Sequence, residues 1–281
     1  MSDLATRKIS FFQKNDTQCP VCGEGFKREE LLTGGGRMIA GKLGEDLRRH
    51  YEPSKKFGDV FPIIYYVTTC PHCYYSATNP DFVPGDPKAM AKLATETDLR
   101  KKSLLKIFPD LDFLEPRRLQ EGAAGYFLSI MCYQHWTPSF APSLKQGICS
   151  LRAAWIFGDL HRKYPGENYD YLEKIFLHKA RFYYMLALER EQSGQESVGN
   201  MTTFGPDVDN NYGYEGVMYL AGYLEFHFGE HYNEQVRAQS LGNARRAIAR
   251  IVGLGKSSKS KPSVLLDMAR ELHKQMGEEI K

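Results

Sequence analysis

Two textures of apolar and polar positions follow one another along the chain. Up to about residue 85 the apolar positions come in short runs broken by glycine, proline and charged residues. RKISFF leads into a first cysteine pair, GRMIAG follows three glycines at 34–36, and FPIIYYVTTC runs into a second pair. Short runs rich in β-branched and aromatic residues predict strands, the last of them most clearly. GEDLRRHYEP, between them, predicts a short helix or a turn. NPDFVPGDP, residues 79–87, predicts a boundary, because its prolines and glycine interrupt either periodicity.

Beyond the boundary the spacing becomes helical. PKAMAKLATETDLRKKSLLKIF opens with Pro87, a residue favoured in the first turn of a helix. LQEGAAGYFLSIMCYQHW, SLKQGICSLRAAWIFGDLHRKY and YDYLEKIFLHKARFYYMLALEREQ follow as helices, the last two separated by PGEN. The polar stretch 193–211 predicts a long loop. EGVMYLAGYLEFHF and QSLGNARRAIARIVG predict two more helices, KSSKSKP a linker, and the chain from about Ser263 a final helix.

A loose repeat runs through the helical half at an offset of 64 residues. Trp155, Gly158, Leu160, Tyr164, Leu177 and Ala180 correspond to Tyr219, Gly222, Leu224, Phe228, Leu241 and Ala244. An aromatic, then G-x-L, then alanine after a fixed interval resembles a tetratricopeptide (TPR) helical hairpin. There, small residues let two helices approach and aromatics fill the groove between hairpins. An ordinary helical bundle is the alternative.

Composition narrows the class. The chain has 281 residues, 42% of them hydrophobic, with a formal net charge of +3; mean hydropathy is −0.46. A folded globular protein fits, and two domains are expected from the length. No apolar run reaches the roughly 18 residues that a bilayer span needs. The opening MSDLATRKISFFQKND lacks an apolar signal core, so a cytoplasmic location is expected.

Four of the six cysteines form two C-P-x-C pairs, Cys19 with Cys22 and Cys70 with Cys73. In a reducing compartment such pairs are metal ligands or redox motifs more often than disulfides. Each C-x-x-C turn presents two sulfurs to one side of a metal, and two turns complete a zinc tetrahedron. Proline after the first cysteine fixes φ, and Gly23 after Cys22 suits the left-handed residue that such a knuckle needs. In the second pair Tyr74 stands where glycine is expected. The 48-residue interval from Cys22 to Cys70 suits a ribbon carrying an insert. A thioredoxin-like redox role would want a strand–helix setting that is missing here. A closed four-thiolate site has no open coordination position, so its expected role is structural. His72, between Cys70 and Cys73, is an alternative ligand, with a surface or supporting histidine as the simpler reading.

Other candidates are weaker. His227 and His231 share a helix face only if the helix continues past Gly229. DVDNNYGYE, residues 207–215, departs from a calcium loop at positions six and twelve. GGG at 34–36 lacks the G-K-[ST] of a phosphate loop. Cys132 and Cys149 lie in apolar helical surroundings and read as small buried hydrophobes. The last 49 residues, from Asn233, hold ten Lys/Arg against five Asp/Glu. Arg237, Arg245, Arg246 and Arg250 there read as a solvated helix face or, alternatively, as a surface for an acidic protein or nucleic acid.

CPVCG, then Arg37, Asp46-Leu47 and Tyr51, then Pro62 and Tyr65 running into CPHCYY, resembles a bacterial domain-of-unknown-function family. The resemblance implies a cysteine-rich β module followed by a TPR-like helical half, with Cys19, Cys22, Cys70 and Cys73 as zinc ligands. It implies no reaction.

The expectation is therefore an α+β protein. A β-rich zinc ribbon-like module spans 1–85 and an all-α, TPR-like helical domain spans 86–281, with one structural zinc per chain. The expected function is an adaptor whose helical half binds a protein or peptide. A nucleic-acid-binding zinc protein and an unrecognised, thiol-redox enzyme remain as alternatives; no catalytic constellation is visible.

Overall fold

The structure, a computed structural model, describes residues 8–255 and 263–280. The expected KSSKSKP linker lies outside the described residues. The N-terminal part is built from four separate two-stranded antiparallel ribbons. β1 (Ser10–Phe12) pairs with β4 (Glu29–Leu31), and inside that loop β2 (Thr17–Gln18) pairs with β3 (Gly25–Phe26). The nesting makes one long hairpin with the first cysteine pair at its tip. β5 (Ile39–Leu43) pairs with β6 (Arg49–Glu52) around the GEDL turn. β7 (Val67–Thr69) pairs with β8 (Ser76–Thr78) around the second cysteine pair.

Of the two readings for GEDLRRHYEP, a short helix or a turn, the structure takes the turn, and the strand expected over FPIIYYVTTC is corrected. GEDLRRHYEP forms no helix: Gly44 and Leu47 close a turn, and the chain re-enters as β6. FPIIYYVTTC is a strand only over Val67–Thr69, because Pro62 starts a 3-10 turn over Pro62–Tyr65. Its apolar side chains are buried there all the same, which is what the composition registers.

Eight α-helices follow among the described residues. α1 (Pro87–Thr95) and α2 (Thr97–Leu105) replace the single helix expected from Pro87, the chain bending at Glu96. α3 (Leu119–Tyr133), α4 (Pro142–Lys163), α5 (Tyr169–Gln192), α6 (Gly213–Phe228), α7 (Glu234–Gly255) and α8 (Ser263–Glu279) pack mainly on their chain neighbours. The 64-residue repeat falls on two helix pairs, α4–α5 and α6–α7. Its glycines occupy tight crossings. A Cβ on Gly158 would meet the Glu173 carboxylate of α5, and one on Gly222 would lie 2.8 Å from Ile248 Cδ1 of α7.

A single buried apolar cluster includes the cysteine hairpins, α3 to α8 and the side chains between them, from Cys19 to Met276. The second cysteine hairpin lies on α3. Glycine makes this possible: a Cβ at Gly122 would stand 2.5 Å from Ile64 Cγ2, and one at Gly125 would stand 2.9 Å from Val67 Cγ1. The close approach lets Ser76 Oγ donate to the Gly125 carbonyl at 2.8 Å and Tyr126 Oη to Ile63 O at 2.7 Å. The β5–β6 ribbon is fixed by its tip. Leu47, fully buried with φ +62°, inserts beside α6, and Tyr219 Oη donates to Glu45 O at 2.8 Å. Arg48 pairs with Asp159 of α4. The motif residue Leu47 thus serves to seat this ribbon, while Asp46 Oδ1 accepts from Arg48 N within the turn at 3.2 Å.

Candidate metal centre

The two hairpin tips are built alike. Each is a six-residue knuckle, Cys19–Glu24 and Cys70–Tyr75. Cys19 N donates to Glu24 O at 3.0 Å and Gly23 N to Cys19 O at 2.9 Å. Cys70 N donates to Tyr75 O at 2.9 Å and Tyr74 N to Cys70 O at 3.0 Å. The fifth residue of each is left-handed, Gly23 at φ +79° and Tyr74 at φ +57°. Tyr74 therefore takes the glycine conformation despite its Cβ, at a cost of about 1–2 kcal/mol. Its ring offsets part of that by packing edge-on to Phe113, 5.3 Å between centroids, with the Lys101 ammonium 5.5 Å above its face.

The knuckles meet sulfur to sulfur. Cys19 Sγ lies 3.6 Å from Cys73 Sγ, and Cys22 Sγ lies 3.6 Å from Cys70 Sγ. All four sulfurs fall within 4.8 Å of one another. A zinc tetrahedron with arms of about 2.3 Å has edges of about 3.8 Å, so the donor set has the chemistry and the spacing to hold a metal ion. It is the one such grouping of three or more His, Cys, Asp or Glu among the described residues. Cys19, Cys70 and Cys73 are buried and Cys22 is exposed, so one sulfur edge faces solvent. His72 is exposed and takes no place in the group.

Protonation is unequal within the group. Hydrogen bonds from Cys19 and Cys70 hold the Cys73 thiol far below its ordinary range. Hydrogen bonds with Cys70 and Cys73, and then burial, push Cys19 up. A thiolate is the form that binds metal.

A buried cation stands behind the second knuckle. Arg100 of α2 is 1% exposed. Its Nε and Nη2 donate to Cys73 O at 3.2 and 2.8 Å, and its Nη1 donates to Leu93 O, in the last turn of α1, at 2.7 Å. No carboxylate forms an ion pair with it among the described residues. Sequence reasoning missed this residue. The available signal was its position four residues before Leu104 on the buried side of α2.

The remaining candidates take structural places. Cys132 and Cys149 are fully buried, and burial raises both thiols to about 12. Cys132 Sγ accepts from Ser76 N at 3.5 Å. α6 ends at Phe228, so His227 and His231 do not share a helix. In the 207–215 stretch, Asp207 accepts the N–H groups of Arg49 and Val208 at 2.7 and 2.6 Å, and Asp209 pairs with Arg49 at 2.9 Å. These carboxylates tie the long loop to β6. Arg237, expected on the outer face of α7, is buried. It binds Glu279 at 2.8 Å and the carbonyls of Glu225 and Phe226. No helix is long and apolar enough to cross a membrane among the described residues.

A helical protein carrying a four-cysteine group on two β-hairpins is the class that this arrangement defines. The chain matches, over residues 12–276, the family described as "Uncharacterized protein conserved in bacteria (DUF2225)", and it belongs to that family. An uncharacterized protein of Borreliella burgdorferi is 42% identical over 276 residues, covering 98% of this chain and 99% of its own length. No solved structure matches the chain.

Proposed function

We propose that Cys19, Cys22, Cys70 and Cys73 hold one structural zinc ion, and that the protein is a zinc-stabilised adaptor whose TPR-like helical half receives a protein or peptide. The observation that carries the metal half of this reading is the pair of matched knuckles whose sulfurs lie 3.6 Å apart across the interface. Four thiolates fill a tetrahedral ion, so the metal's work is to fold: it pins the hairpin ending at Leu31 to the hairpin lying on α3. The ribbons are too short to be stable in isolation, and closing the roughly fifty-residue interval with a metal clip restricts the unfolded chain. Cobalt substitution tests it. The apoprotein titrated with Co(II) develops the visible absorption of a tetrahedral thiolate site at one equivalent, and Cys70→Ser alters that spectrum. A pale pink octahedral complex that lacks the strong visible bands would refute the site.

For the helical half, support comes from the repeated aromatic, G-x-L, alanine pattern on α4–α5 and α6–α7, and from the exposed face of α5. Tyr171 and Phe182, three helical turns apart, are 64% and 58% exposed. Large exposed aromatics in register are a feature of partner-binding surfaces. Affinity capture with wild type and with Phe182→Asp tests this half: a partner recovered by the first and lost by the second supports it, and identical recoveries count against it.

A further inference from the structure

A cavity of about 290 Å³ lies between the end of the second cysteine hairpin, one face of α4 and the long loop that precedes α6. This is near the lower end of the size range of small-molecule sites. Tyr66, Ile148, Met201 and Val208 supply apolar wall. Two cations, Lys145 and Arg152, enter from α4 seven residues apart and therefore on one face.

The two cations differ in how they are satisfied. Lys145 is neutralised: Nζ lies 2.5 Å from Asp81 Oδ2, which also accepts from Tyr133 Oη at 2.7 Å. Its charge also sits 5.7 Å from the centroids of the Tyr133 and Trp136 rings. Arg152 is 6% exposed and forms no carboxylate ion pair among the described residues. Only Nε makes a bond of ordinary length, 2.7 Å to Pro206 O. The terminal nitrogens reach Tyr126 Oη and Gly205 O at 3.4 Å each, the outer limit of a hydrogen bond. Asp207, the nearby acid, interacts with Arg152 through space but makes no hydrogen bond to its fork; its two oxygens accept the backbone N–H groups of Arg49 and Val208. A guanidinium buried this deeply costs several kcal/mol unless its N–H groups are met. The ligand type that meets a planar guanidinium fork is an oxyanion.

We propose that this cavity binds a small organic acid, with a carboxylate or phosphate on the terminal nitrogens of Arg152 and a compact apolar body against Ile148, Met201 and Val208. The site goes beyond the adaptor reading and does not depend on it. It does adjoin the metal centre in the chain: Thr78, on its wall, ends the hairpin that carries Cys70 and Cys73, and Asp81 follows three residues later.

The test uses the full chain and ligand-observed NMR with calorimetry. The probes are phenylacetate, 4-methylpentanoate and phenyl phosphate, against the neutral phenylacetamide and benzyl alcohol. At least one anion is expected to bind tenfold or more tightly than its neutral counterpart, with carboxylate against phosphate deciding between the two headgroups. Arg152→Gln weakens it at least tenfold, and Met201→Trp, which fills the cavity from the loop, abolishes it. Should Arg152→Gln fail to fold, Met201→Trp and the anion-to-neutral ratio still decide. Equal binding of anions and neutral probes, no binding by any probe, or unchanged binding to Met201→Trp would overturn the site.

Discussion

Replacing Arg100 by methionine tests how the helical half supports the cysteine centre. The side chain is 1% exposed, so methionine retains most of the packed volume while removing the charge and every donor. Leu93 O keeps a second donor, the N–H of Glu96 at 3.3 Å. Cys73 O loses both of its guanidinium bonds, at 2.8 and 3.2 Å. Leaving a buried acceptor unmade costs about 1–3 kcal/mol. On the proposed reading a second loss adds to it. A divalent ion with four thiolates carries two net negative charges, and Arg100 is a buried positive group hydrogen-bonded to one of the ligand residues. Removing one member of a buried charge pair costs about 3–5 kcal/mol. If about 2 kcal/mol of this falls on the metal-bound form, the zinc Kd rises about 30-fold. Chelator competition measures the Kd, and urea unfolding of zinc-loaded protein measures the stability. Arg100→Lys keeps the charge without the fork and should recover part of the affinity. A Kd within twofold of wild type in Arg100→Met would refute the electrostatic link, and an unchanged unfolding midpoint would refute the structural one.

Backbone conformation in the knuckles gives a second prediction. A Cβ at Gly23 meets nothing within 4 Å, so Gly23→Ala isolates the cost of the left-handed conformation; thermal unfolding should show a loss of about 1–2 kcal/mol. At Tyr74 the same order is expected: Tyr74→Gly should be more stable than Tyr74→Ala by about 1 kcal/mol, since both lose the ring and only glycine is free of strain. Gly122→Val should separate α3 from the 3-10 turn at Ile64 and cost about 1–3 kcal/mol or more, read by denaturation, because the valine would overlap Ile64.

The helices were legible to within a few residues because their apolar periodicity runs over many turns. α5 and the start of α8 coincide with the sequence reading. The first half was harder. Its ribbons are two to five residues long, and burial there is imposed by α3 and α6 rather than by local pattern. Leu47 illustrates this: its neighbours are polar, yet it is fully buried in a left-handed turn. The four cysteines were legible because metal-ligand chemistry leaves a spacing signature. Arg100 and Arg152 left none. A buried arginine is spelled like an exposed one, and only the carbonyls that meet it distinguish the two. Arg237 shows the same ambiguity, since helical spacing placed it outward and α8 and the end of α6 bury it.

The central claim is that Cys19, Cys22, Cys70 and Cys73 share one metal that folds the two hairpins together. Native mass spectrometry with elemental analysis, on purified full-length protein and on Cys70→Ser, addresses it directly. The account predicts one zinc per wild-type chain, and in the variant a loss of zinc accompanied by loss of amide protection in residues 10–31 and 67–78. A wild-type protein without stoichiometric metal, or a Cys70→Ser protein that keeps its zinc, would contradict it.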